Sequence, residues 1–598
     1  MAIGDYLALA WPAGSAEGAA HAATLGARLE AEAGWRSVGT TDRLRLYTPA
    51  AGGAPVTALP CAAGFVVGER FRSPGAVDAG ELPRRPAQAA LTLLRSGWGR
   101  YVALLHGPPG ETAVFRDPLG ELDALVWPLA AGVEAVASDL LAVPPWLRPP
   151  RLSLNWDAIA VYVALSSAMR SELLFDGVAA VTPGTLQPLP LGRAAMALWR
   201  PADQVGDSRP DEVAAGEALA AAVDQVTRAL VVDRPAVLME LSGGLDSAIV
   251  AGTLARLGLA GRVSAWLNYV ADRTEGDERA YARAVTERLR VPLTVVEKPL
   301  APLSEADFTE VATGVRPALQ AVDAPRDRDI AARMAALGGA AVLSGQGGDA
   351  VFFQMPSVLV ASGVLRREGL AGLGSPVLRA VAHRTRRSVW QVLAECSRAE
   401  RRGDGLPSQL SPLVAPGVRS WLAGRAHPWV EDAGDIPGAK RLQVQAIANA
   451  QLYRGDCRKR RAGDLLYPFL SQPVVELCLS LPADLLAGGE QDRRLARAAF
   501  ADRLPPQVLA RRSKGELGAY YGRLLAASLD VLRPLLLEGC LADAGVLDRA
   551  AVARQLTPEQ LLQAPATGAI LTAATVEAWV RHWQGRVGDS ARAPRRRH

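Results

Sequence analysis

The chain reads as an α/β protein in two parts, and two features of its 598 residues predict this. Up to about residue 200, short apolar runs such as RLRLY, GFVVGERF, RYVALLHG and TAVFRD are separated by Gly, Pro and Asp, the punctuation of a strand-rich unit. From 211 onward, alanine- and leucine-rich segments with helical spacing alternate with PAVLMEL, RVSAWLNYV, VPLTVVEK and AAVLSGQ. That order predicts a parallel sheet covered by helices.

The elements follow in chain order. Within the first part, WDAIAVYVALSSAM has helical character. The segment RPADQVGDSRPDE, 200–212, carries two prolines and a glycine and reads as a linker. Roughly 370–585 reads as almost wholly helical. Its arginine-rich stretch 379–402 is taken as a solvated helix face, with a surface for an acidic partner as the alternative. The end, ARAPRRRH, reads as a disordered basic tail.

An apolar share of 49% against 21% charged residues is that of a chain with real cores. The formal charge of +5 is small for this length, and lysine occurs only at 298, 440, 459 and 514, so composition does not announce a nucleic-acid binder. The five cysteines form no CxxC, which suggests neither a disulfide framework nor a zinc cluster and fits a reducing compartment. With no basic n-region and no apolar run of about 20 residues, the expectation is a cytoplasmic protein without membrane or nucleic-acid partners.

Chemistry concentrates in LMELSGGLDSAIVAG, 238–252, where an apolar strand meets the turn Ser242-Gly243-Gly244-Leu245-Asp246-Ser247 and then a helix. Glycines let an anion approach backbone amides at a helix start, so the turn suits phosphate. It lacks the lysine of GxxxxGK[ST] and the spacing of GxGxxG. Asp246 adds a hard oxygen ligand for Mg²⁺. A second such turn, Ser344-Gly345-Gln346-Gly347-Gly348-Asp349, follows AAVL and supplies another carboxylate, so that two aspartates at neighbouring strand ends would share a magnesium ion.

The first turn resembles the SGGxDS pyrophosphate loop of the ATP pyrophosphatases, and the second the SGxGxDE motif of class B asparagine synthetases. The resemblance extends through FRDPLGELDALVW, ASDLLAV, FDGVAAVTPGTL and the stretch from Tyr467 to RRSKGEL, in family order. It implies an Ntn-hydrolase-like αββα sandwich over 1–205, an adenine-nucleotide α-hydrolase-like domain with a parallel sheet over 206–585, and the tail 586–598. It also implies ATP and Mg²⁺ as cofactors. Nucleotide contacts fall on Leu241, Ser242, Gly243, Gly244, Leu245, Asp246, Ser247, Leu267, Ser344 and Gly345, magnesium on Asp246 and Asp349, and charge stabilisation on Lys514.

Two departures redirect the reading. The family's glutaminase uses an N-terminal cysteine, whereas Ala2 follows Met1 and no cysteine precedes Cys61, which argues against ammonia from glutamine. In the second motif Gln346 and Ala350 stand where the family carries glutamates. An acyl adenylate without a glutaminase needs free ammonia or an amine of the substrate itself. LSQPVVELCLSLP, GGEQDRRLARAAF and RRSKG are similar to the lasso-peptide cyclase branch, which joins a core peptide's N-terminal amine to an Asp or Glu side chain. That branch implies a ribosomal precursor peptide as substrate, with a leader-binding protein and a leader peptidase as further partners. The alternatives are a β-lactam or other small amide synthetase, an ammonia-dependent asparagine synthetase, and an inactive scaffold binding a leader or nucleotide.

Overall fold

The computed structural model describes residues 4–75, 82–108, 110–165, 172–206, 208–271, 277–298, 300–318, 321–402, 410–421, 427–489, 491–512, 518–563 and 566–587. The expected tail therefore lies almost wholly outside the described residues.

The first part folds into two antiparallel six-stranded sheets, each with a helix on its outer face. Alternation along the strands explains the layering, because successive side chains leave a strand on opposite faces. In Leu7–Ala10, Ala8 and Ala10 enter the core between the sheets, whereas Leu7 and Leu9 meet Ala22 and Leu29 of the helix Ala16–Glu32. In Gly97–Gly107, Val102 and Leu104 face the inter-sheet core, and Tyr101, Ala103 and Leu105 pack on Ala89, Ala90 and Leu93 of the helix Pro86–Ser96. The layers run helix, sheet, sheet, helix. The segment expected to be helical after 155 forms a helix over Trp156–Ala164, capped by Asn155.

The second part carries a five-stranded, all-parallel sheet in the spatial order Leu293–Lys298, Val263–Ala271, Val237–Glu240, Ala341–Leu343, Leu465–Leu466. All four runs expected as strands are present. The fifth strand, only two residues long, lies inside the stretch expected to be helical. Helices Glu212–Val231, Leu245–Arg256, Arg279–Leu289 and Ala324–Ala336 share one hydrophobic core with this sheet. Trp98, Leu119 and Trp199 of the first part enter the same core.

An ionic knot around Asp464 and an Arg316–Asp123 pair at 2.6 Å join the two parts. Arg100 donates to both carboxylate oxygens of Asp464 at 2.8 Å, and Arg234 pairs with Glu69 and Asp464 at 2.5 and 2.7 Å. Asp464 immediately precedes the edge strand, and its carbonyl accepts from the Val342 amide at 2.7 Å.

Candidate nucleotide-binding and active site

The chain steps outward from the central strand Val237–Glu240 to Leu293–Lys298, then returns to lay Ala341–Leu343 on the other side. The crevice beyond the C-terminal ends of these two central strands is thus a topological switch point, the place where open α/β sheets bind ligands. Both small-residue turns open there.

The first turn is held by its own serines. Ser242 and Ser247 place their hydroxyls 3.1 Å apart, the Ser242 amide donates to Ser247 Oγ at 3.2 Å, and the Gly244 amide donates to Ser242 Oγ at 3.2 Å. Gly243 takes φ +84°, and a Cβ on it would lie 2.6 Å from the Glu278 carbonyl, so this position admits only glycine. The Gly243 carbonyl accepts from Arg511, which also pairs with Glu278 at 2.5 Å. Gly345 of the second turn packs on the first so closely that a Cβ would sit 2.5 Å from the Ser247 nitrogen. The two turns therefore interlock backbone to backbone.

That contact brings the two predicted carboxylates to one cation. Arg493 Nη1 donates to Asp246 Oδ1 and Oδ2 at 3.0 and 2.9 Å and to Asp349 Oδ1 at 2.8 Å, while its Nη2 donates to Asp492 at 2.9 Å. Burial would raise the Asp492 carboxyl, but Arg493 and Arg497 outweigh it and hold it below the usual range. Asp246 and Asp349 share a positive charge already, so a hard divalent cation fits between them, with oxygen donors of the type Mg²⁺ prefers. No group of three or more acidic, histidine or cysteine ligands occurs among the described residues, so phosphate oxygens would complete such a shell.

The turns open into a cleft of about 1360 Å³, lined by every predicted contact residue except Gly243, which faces Glu278. Leu241 and Leu267 form its apolar floor. The Leu241 amide donates to the Leu267 carbonyl at 2.8 Å, and its carbonyl accepts from Asn268 Nδ2 at 2.7 Å, so both backbone polar groups of Leu241 are already engaged. Lys514 lies outside the described residues. Arg493 was not singled out in the sequence, although it stands in the quoted run GGEQDRRLARAAF. From the arginine-rich segment, Arg384 turns into the cleft wall and donates to the Ala487 carbonyl at 2.6 Å rather than facing solvent.

An open parallel sheet with two glycine-rich turns and paired carboxylates at its switch point defines a nucleotide-binding α/β protein. The family model described as asparagine synthase matches residues 217–581, more than half of the chain, and the chain belongs to that family. It is therefore an ATP-dependent, amide-bond-forming ligase of the asparagine synthetase type. No curated protein matches it. No helix of the described residues is long and apolar enough to cross a membrane.

Proposed function

We propose that the protein is a macrolactam synthetase. It activates an Asp or Glu side chain of a ribosomal core peptide as an acyl adenylate and closes it onto the peptide's N-terminal amine, giving a lasso peptide, AMP and pyrophosphate. The observation that carries this reading is the size of the cleft. At about 1360 Å³ it exceeds the roughly 300–1000 Å³ that suits a single small ligand, which leaves room for a peptide beside the nucleotide. Helices Gly438–Ala450, Gly518–Ala527 and the start of Thr567–Gln584 also line the cleft, through Ala446, Asn449, Tyr521, Thr567 and Thr572.

In the first half-reaction a carboxylate oxygen attacks the α-phosphorus of ATP and pyrophosphate leaves. The amides at the start of Leu245–Arg256, the serine hydroxyls and Arg493 hold the departing charge. Mg²⁺ bound between Asp246 and Asp349 would offset the phosphate charge. In the second half-reaction the neutral amine attacks the acyl carbon, AMP leaves with the carboxyl oxygen, and the amine's proton passes to solvent or a base. Holding amine and adenylate together supplies the rate advantage of proximity. The N-terminal layers act as a scaffold: their one cysteine, Cys61, is exposed, and no cysteine lines the cavity of about 550 Å³ between the two parts. A leader-binding protein and a leader peptidase are the expected partners.

The test is incubation of the protein with Mg·ATP and the matching precursor core peptide, measuring AMP, pyrophosphate and peptide mass. AMP release with a peptide lighter by one water supports the reading, and Asp246→Ala should abolish both. AMP released only with ammonium and aspartate makes it an asparagine synthetase, and AMP released only with a small amino acid makes it a small-amide synthetase. Nucleotide binding without turnover leaves a scaffold.

A further inference from the structure

The cleft contains a second charged cluster, separate from the Arg493 site. Glu240, at the end of the central strand, accepts from Arg326 at 3.0 and 2.5 Å. Asp323 accepts from Lys298 at 2.5 Å and from Arg326 at 3.5 Å. These four groups pair closely with one another, and both carboxylates also feel the charge of Lys459. Lys459, on the short helix Arg458–Ala462, does not fit that pattern. Its side chain is 13% exposed and lines the cleft, its Nζ makes no hydrogen bond among the described residues, and its ion pair with Asp327 Oδ1 is long, at 3.9 Å. Burial disfavours its charge, but Glu240 together with the smaller pull of Tyr467 and Cys457 more than offsets that and keeps the ammonium charged.

Position and composition both bear on what this ammonium is for. Lys459 interacts with Tyr467, which lines the same cleft just beyond Leu465–Leu466, and the carbonyl of Leu466 accepts from the Ser344 amide of the second glycine turn at 3.2 Å. Arginine outnumbers lysine throughout the chain, yet two of its four lysines face this cleft. A compact ammonium on a flexible stem can follow a carboxylate through a reaction more readily than a rigid guanidinium fork. A largely buried cation whose Nζ makes no hydrogen bond among the described residues, and whose ion pair with Asp327 is long, has donors to offer an anionic ligand.

We propose that Lys459 is the specificity residue that receives the carboxylate to be activated, so that this cleft selects an acidic side chain as acyl donor. The inference rests on the acyl-adenylate reading and deepens it. Once the carboxylate has lost its charge to the adenylate, the ammonium no longer holds it, and the acyl group is free to turn toward the amine.

The test separates binding from turnover. Binding of N-acetyl-aspartate amide and N-acetyl-glutamate amide to the full chain is measured by calorimetry with magnesium and α,β-methylene-ATP, for wild type, Lys459→Gln and Lys459→Arg. ATP–pyrophosphate exchange with the same probes is followed in parallel. Wild type should bind at least one probe, Lys459→Gln about 10- to 100-fold more weakly, and Lys459→Arg in between, with nucleotide affinity unchanged and melting temperatures matched. Weakened nucleotide binding with probe binding intact would make Lys459 a phosphate ligand and overturn the proposal. So would failure of wild type to bind either probe. Probe binding that depends on Lys459 without any exchange would uphold the carboxylate site while defeating the adenylation reading.

Discussion

Arg493 holds its backbone at φ +51°, a left-handed conformation that costs an arginine about 1 kcal/mol, and its side chain is 7% exposed. What offsets that cost is contact with Asp246, Asp349 and Asp492 at once. Replacing it leaves three carboxylates close together, Asp246 and Asp492 mostly buried and Asp349 half-exposed, so Arg493→Met should lose about 1–3 kcal/mol in urea unfolding. Millimolar Mg²⁺ should restore part of that loss, because a cation between Asp246 and Asp349 supplies the missing charge. A variant as stable as wild type and indifferent to Mg²⁺ would remove Arg493 from this role. Asp246 and Asp349 were legible because each sits in a turn whose spacing carries chemistry. Arg493 was not, since nothing local distinguishes it from Arg494, which pairs with Glu212, or from Arg497, which pairs with Asp492.

At the scale of elements, the site depends on two turns from strands that are neighbours in the sheet but about 100 residues apart in the chain. Their contact is tightest at Gly345, where even a methyl group meets the Ser247 amide and the Asp246 carbonyl carbon. Gly345→Ala should therefore part the turns at a cost of about 1–3 kcal/mol. Affinity for an ATP analogue should fall at least tenfold, read by fluorescence titration, and an unchanged affinity would mean that the interlock does not shape the nucleotide site. The four longer strands were legible from apolar runs flanked by turn residues. The fifth was not, because Leu465–Leu466 is too short for any periodicity and becomes a strand only by pairing with Val342 and Leu343.

At the scale of the whole molecule, the Arg100–Asp464 pair ties the antiparallel layers to the edge of the catalytic sheet. Burial would raise the Asp464 carboxyl, but Arg100 outweighs it and holds it below its ordinary 3.8. A carboxyl lowered in the folded state stabilises fully above its unfolded value, and that contribution is lost as pH falls through the folded one. Stability owed to this pair should thus be flat from about pH 7 to 5 and decline below about 4. Asp464→Asn should flatten that acid limb in urea titrations while costing about 3 kcal/mol at neutral pH, since Arg100 is left buried without its bidentate partner. An acid limb unchanged in the variant would place the pH dependence elsewhere.

The sequence by itself determined the four longer parallel strands and their alternation with helices, the two phosphate-type turns and their aspartates, because each is a local pattern of side-chain size, backbone freedom and charge. Only the tertiary structure decided which arginine bridges those aspartates, which lysine faces the cleft without a hydrogen bond to its Nζ among the described residues, and how the first part locks onto the second. Such pairings join residues tens to hundreds of positions apart, and burial, which no local spacing encodes, selects among many similar charged side chains.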